Sequence, residues 1–152
     1  MDNPFEKIIK GKVVFFGVGN MLRSDDAVGP LLVDRLRGKV NAVCVNAENA
    51  PEKFLGKIIK LAPDTLLIID AVHLGLGPGE YRIVKPEDLE GVGFSTHDIP
   101  LKSLVDYIKA EIDTDIYLLG IQPAHLAIGE GLSESVKKTI QTLEILIREA
   151  MN

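Results

Sequence analysis

The segment Thr65-Leu66-Leu67-Ile68-Ile69-Asp70-Ala71 is an unbroken aliphatic run that meets a carboxylate near its end. Successive side chains of a strand point to opposite faces, so a strand with one wet face alternates apolar and polar residues. This run does not alternate. Both of its faces must be covered, which is the situation of a central strand in a mostly parallel sheet flanked by helices. Val13-Val14-Phe15-Phe16 is a second such run. Neither approaches the ~18 apolar residues of a membrane-spanning helix, so both read as core strands.

Helical and strand patterns alternate around these two runs. A strand over about Lys12–Gly17 is followed by a helix over about Asp25–Arg37, capped by Ser24 or Asp25 and ended by Gly38. Val40–Val45 is β-branched and alternating and reads as the next strand. Asn46–Pro51 reads as a loop and Glu52–Leu61 as a short helix with Phe54, Leu55, Ile58 and Ile59 on one face. After the central strand, the turn Gly75–Gly79 is too short for a crossover helix, so Glu80–Lys85 is expected to run antiparallel at an edge. Residues 91–99 read as a loop. Pro100 then opens a helix with Leu101, Leu104, Val105 and Ile108 in its stripe. Ile116–Ile121 is the last strand, and Ser133 caps a helix bearing Val136, Ile140, Leu143 and Ile147. The predicted fold is α/β: a three-layer α/β/α sandwich around a mixed, mostly parallel five-stranded sheet.

Length and charge narrow the class. A chain of 152 residues without repeats or linkers is one domain, 1–152, able to bury roughly 70% of its unfolded surface. A net charge of −5 disfavours nucleic acid and anionic membrane as partners, since both select basic patches. The N-terminus lacks the apolar core of a signal peptide, and one cysteine forms no internal disulfide; a cytoplasmic monomer is expected. Cys44, in Val43-Cys44-Val45, reads as a core thiol.

In open α/β sheets, functional groups gather beyond the carboxyl ends of the strands. That rule selects Asn20, Asp25 and Asp26 after the first strand and Glu48 and Asn49 after the second. It adds Asp70 and His73 after the third, Gln122 and His125 after the last, and His97 and Asp98 in the loop before Pro100. The turn Gly17-Val18-Gly19-Asn20-Met21-Leu22 invites a dinucleotide reading, but Leu22 stands where the fingerprint needs its third glycine. A phosphate there would also meet Asp25 and Asp26 at the helix start. No Gly-Lys-Ser/Thr follows, which excludes a P-loop.

Each acidic candidate has a plain structural explanation. An aspartate in a first helical turn complements the helix dipole. That accounts for one of the pair, and its neighbour, about 100° round the helix, aims elsewhere, over the strand ends. Asp70 would otherwise be a turn cap or a lysine's partner, and His97 a helix cap. Together, two carboxylates and an imidazole at one sheet edge suit a borderline divalent metal such as Ni²⁺ or Zn²⁺. No serine occupies a nucleophile elbow, so a hydrolase built on this chain would use an activated water.

These residues resemble a known family. Gly17-Val18-Gly19-Asn20 with Asp25-Asp26 and Gly29 is similar to the opening signature of the hydrogenase maturation proteases. The likeness continues, in order, through Ala50-Pro51-Glu52, Leu67–Ala71, Gly77-Pro78-Gly79-Glu80, Thr96-His97 with Pro100-Leu101, and Leu119-Gly120-Ile121-Gln122-Pro123. The Asp-Asp pair and Gly-Ile-Gln-Pro look most like the sub-type serving hydrogenase 3 of formate hydrogenlyase. The resemblance implies an endopeptidase that removes the C-terminal peptide of a [NiFe]-hydrogenase large-subunit precursor once nickel is in place. It implies Asp26, Asp70 and His97 as metal ligands; Asp26 and Asp70 are also the catalytic candidates, one of them orienting the attacking water unless the metal polarises the scissile carbonyl. Asn20, Glu48 and Gln122 are the expected substrate contacts. Nickel is expected to come with the precursor as a recognition handle, with zinc or cadmium able to replace it in vitro. Glu48 stands where many members carry a glycine-rich turn, which leaves the detailed substrate contacts open. A non-cleaving chaperone that recognises the same metal-loaded precursor is the alternative.

Overall fold

The computed structural model describes residues 2–91, 93, 94 and 100–152. Its elements are β1 (Val13–Val18), α1 (Val28–Leu36), β2 (Val43–Glu48), α2 (Leu55–Leu61), β3 (Thr65–His73), β4 (Tyr81–Val84), β5 (Gly93–Phe94), α3 (Leu101–Glu111), β6 (Asp115–Ile121) and α4 (Glu134–Ala150). Five strands lie in the order β2-β1-β3-β6-β4, and the short β5 pairs with β3 off that path. β1, β2, β3 and β6 are mutually parallel; β4 runs antiparallel to β6 at the edge, from Tyr81 opposite Ile121 to Val84 opposite Leu118. The expected mixed, mostly parallel sheet is the one found.

β3 explains why its sequence does not alternate. Leu66, Ile68 and Val72 enter one core with Ile58 of α2 and Leu101, Leu104, Val105 and Ile108 of α3. Leu67, Ile69 and Ala71 enter the other with Leu32 and Leu36 of α1 and Val136, Leu143 and Ile147 of α4. Every residue from Thr65 to Val72 is buried. No helix among the described residues is long and apolar enough to cross a membrane.

Several boundaries differ from expectation, each for a local reason. The first helix begins at Val28 rather than Asp25, because Ser24–Ala27 forms a tighter 3₁₀ turn. Pro30 then falls in the first turn of α1, where a missing N–H costs nothing. β2 spans Val43–Glu48, not Val40–Val45: the residues after α1 are used to return the chain to the sheet, and Asn46–Glu48 pair with the end of β1 across a bulge at Gly17/Val18. Pro51–Phe54 is 3₁₀, which shortens α2. β3 continues to His73 because β6 pairs it as far as Ala71, and β5 pairs it beyond, with Val72 opposite Phe94. Ser133 does cap α4, its side chain accepting from the Val136 amide.

Candidate functional site

The strand order sets the place of the site. β1 is joined to β2 on one side by way of α1, while α2 carries the chain back across to β3 on the other. The two connections diverge at the β1–β3 gap, the switch point at which α/β sheets open a crevice beyond their strand ends.

Close backbone packing closes one wall of that crevice. A Cβ on Gly19 would lie 1.8 Å from the Asp26 carbonyl oxygen, and one on Gly29 would lie 2.2 Å from the Ile69 carbonyl oxygen and 2.8 Å from that of Val18. Both positions therefore require glycine. They let the 3₁₀ turn Ser24–Ala27 and the start of α1 press directly on the ends of β1 and β3, and the turn packs against β3. The turn after β1 is sharp, and Gly29 is the contact that places the helix start beside Ile69, the residue preceding Asp70.

The two neighbouring aspartates divide their work. Both are fully buried. Asp26 turns toward β1, its Oδ2 accepting from the Asn20 amide at 2.7 Å. Asp25 turns the other way and gathers the loop between β6 and α4. Its Oδ1 accepts from the Ser133 amide at 2.7 Å, and its Oδ2 accepts from the Ser133 hydroxyl at 2.9 Å and the Ala124 amide at 2.8 Å. Asp25 therefore does not cap α1, whose N-cap is Ala27 with no side-chain cap bond. It buttresses the start of α4, a partner far away in sequence that helix-start statistics do not reveal.

Asp70 is fully buried on β3, opposite Gly120 of β6. It lies one residue beyond the last β1–β3 pair, Gly17 with Ile69. Its parity is that of Leu66, Ile68 and Val72, so it faces the α2/α3 layer. His97, with Ser95, Thr96 and Asp98, lies outside the described residues. Among the described residues no three His, Cys, Asp or Glu side chains form a metal-binding group. Asp26 and Asp70 carry hard oxygen donors on the elements that flank the switch point, and two carboxylates alone do not complete a metal site.

The remaining candidates sit around this centre. Asn20 is partly exposed, and its Oδ1 accepts from the Leu22 amide at 2.9 Å. Glu48 is exposed at the end of β2 with a left-handed φ of 48°, and its carbonyl accepts from the Gly19 amide at 2.7 Å. Gln122 is buried and engaged by the chain itself: Oε1 accepts from the Leu74 amide at 2.6 Å, and Nε2 donates to the Pro123 carbonyl at 3.3 Å. It shapes the β3–β4 turn beside the site. His73 and His125 are exposed. Cys44 is half-buried, and burial pushes its thiol up, away from the thiolate a nucleophile needs.

Comparison with known proteins places these features in a family. The sequence profile described as hydrogenase maturation protease matches residues 28–150. The hydrogenase 3 maturation protease of Escherichia coli K12 is 37% identical over 133 residues, 86% of this chain and 85% of that protein. The crystal structure of the [NiFe] hydrogenase maturation protease HycI from Thermococcus kodakarensis superposes with a TM-score of 0.88 at 36% identity, covering 97% of both chains. The solution structure of the endopeptidase HycI from Escherichia coli gives 0.79 at 35% identity, over 88% of this chain and 87% of that one.

Proposed function

The chain belongs to the hydrogenase maturation protease family, and on that premise we propose that it is an endopeptidase that trims a [NiFe]-hydrogenase large-subunit precursor. It removes the precursor's C-terminal peptide after nickel insertion, acting as a cytoplasmic monomer. The observation that carries this reading is the full burial of two carboxylates, Asp26 on the turn after β1 and Asp70 near the end of β3, on the elements that flank the β1–β3 switch point. Carboxylates this far from water are costly unless a cation or hydrogen bonds offset the desolvation. A metal arriving with the substrate fits such a pair.

In this account Asp26, Asp70 and His97 take hold of the nickel in the precursor, which is part of the substrate and serves as the handle. With two carboxylates and one imidazole from the enzyme, the affinity of the free protein for Ni²⁺ is weak. Nanomolar binding to the isolated chain would contradict the handle. The scissile carbonyl is attacked by water. A carboxylate, Asp26 or Asp70, takes the water's proton as oxygen adds to the carbonyl carbon. The proton then passes to the leaving nitrogen as the C–N bond breaks. Alternatively the metal polarises the carbonyl. Precursor loaded with zinc or cadmium separates these routes: a pure handle leaves the rate nearly constant, whereas Lewis-acid activation makes it follow the ion. Asn20 and Glu48, at the rim, are the proposed contacts to the peptide, and Gln122 contributes by holding the neighbouring turn.

Incubating the protein with nickel-loaded and nickel-free precursor and measuring intact masses tests the proposal. Loss of a C-terminal peptide from the loaded form alone is the expected result. Complex formation with both masses unchanged would replace the protease with a metal-site-recognising chaperone.

A further inference from the structure

Asp25 belongs to a larger arrangement whose purpose the chemistry at Asp26 and Asp70 does not explain. Residues 22–24 and 128–130 run side by side as a short parallel bridge centred on Arg23 and Gly129. The Gly129 amide donates to the Leu22 carbonyl and the Ser24 amide to the Gly129 carbonyl, each at 2.9 Å. The Ser24 hydroxyl donates to the Ala127 carbonyl at 2.8 Å, and Ser24 holds a left-handed φ of 50°, rare outside glycine. Asp25 fastens the same loop from beneath. So many ties on an irregular loop indicate a fixed surface.

That surface presents apolar side chains to water. Leu22 is 63% exposed and Ile128 80% exposed, and the parallel register through Arg23 and Gly129 sets their backbones opposite each other. The other large apolar side chains that stand exposed among the described residues, Tyr107 and Ile145, are isolated on α3 and α4. Single exposed apolar residues are ordinary, whereas a held pair beside a crevice is a contact surface. Leu22 is four residues from Asp26, a span of at most about 14 Å, which an extended peptide covers in about four residues.

We propose that Leu22 and Ile128 form an apolar subsite for the precursor's C-terminal segment, receiving an aliphatic or aromatic side chain within about four residues of the scissile bond. The inference rests on the endopeptidase reading for its occupant. Continuity with the crevice argues for that segment: a peptide lying across Asp26 and Asp70 must leave the crevice over one of its rims, and this rim is apolar and already ordered.

The test compares wild type with Leu22→Ser/Ile128→Ser, measuring binding and cleavage of nickel-loaded precursor together with thermal unfolding. The expected result is a rise in Kd and KM of about tenfold, kcat within twofold, and an unchanged unfolding midpoint, since neither side chain is buried in the free protein. Serine replacements across the four precursor residues on each side of the cut must include one that weakens wild-type binding about tenfold and the variant's hardly at all. Unchanged Kd and KM in the variant, or no coupled precursor position, would overturn the subsite. Wild type that binds without cutting would remove the endopeptidase reading while the Kd comparison still decides the subsite; wild type that does neither overturns both. A wild-type dimer that the variant abolishes, with KM unchanged, would make this face a contact between copies and overturn the proposal.

Discussion

The two helical layers on either side of the sheet are held in different ways. The α1/α4 layer is tied by polar links as well as by its core. Glu144 on α4 receives Arg35 of α1 at 2.6 Å, with Lys39 and Arg148 each at 3.5 Å. Asp25 binds the start of α4, and the Asn3 amide donates to the Leu146 carbonyl at 2.7 Å. The α2/α3 layer rests on apolar packing of Ile58 against Leu104, Val105, Ile108 and their neighbours. Among the described residues no ion pair joins its two helices, and the Lys102–Asp106 pair lies within α3. The candidate site spans the seam between them, with Asp26 on the turn that opens the tied layer and Asp70 facing the other. The tied layer keeps Asp26 and the 22–24 rim in place. Among the described residues the other side carries fewer directional bonds.

Core truncations should bring out that contrast most strongly. Leu143→Ala, in the tied layer, is expected to cost about 4 kcal/mol, and Leu104→Ala about 2–3 kcal/mol, because the side with fewer polar cross-links among the described residues collapses further into the void. Equal costs in denaturant titrations would break the comparison. Asp25→Asn is expected to lose about 2 kcal/mol, since the amide's NH₂ faces amide donors where an acceptor stood. Hydrogen exchange should then speed up over residues 124–133, while α2 and α3 keep their protection.

Glu144→Gln should have a smaller effect, about 1 kcal/mol at neutral pH, because its three cationic partners are all about half exposed. The hydrogen bond from Arg35, helped by the positive charge of Arg35 and Lys39, holds the Glu144 carboxyl below its usual value of 4.5. A depressed folded value means that its contribution is complete above the unfolded value and is lost as pH falls through the folded one. Wild-type stability should therefore fall more steeply than the variant's below about pH 4.5. Identical acid limbs would show that the cluster does not tie α1 to α4. Smallest of all, Cys44 should alkylate several-fold more slowly than a free thiol at pH 7, its thiol being pushed up by burial.

The sheet was legible in the sequence because burial on both faces leaves an unmistakable mark. Thr65–Ala71 could be nothing but a central strand, and the short Gly75–Gly79 connection forced β4 to run antiparallel. Element starts were less legible. Helical periodicity in residues 25–37 does not distinguish a 3₁₀ turn from the α-helix it leads into, and β2 was displaced because its partner rather than its composition decides where it pairs. Within the site, Asp26 and Asp70 could be selected from their places at strand ends. Asp25 could not be understood that way, because Ala124 and Ser133 approach it only in three dimensions. The Leu22–Ile128 pair was hidden for the same reason.

The division of labour between Asp25 and Asp26 is the centre of this account, and one measurement addresses it: the intact mass of nickel-loaded precursor after incubation with Asp26→Asn, under conditions in which wild type completes the cut. Removing an acting carboxylate from a hydrolytic site typically costs on the order of 10³-fold or more. The precursor should therefore keep its full mass, while thermal unfolding and exchange over residues 124–133 stay at wild-type values. A C-terminal peptide released at the wild-type rate by this folded variant would contradict the account and take Asp26 out of the site.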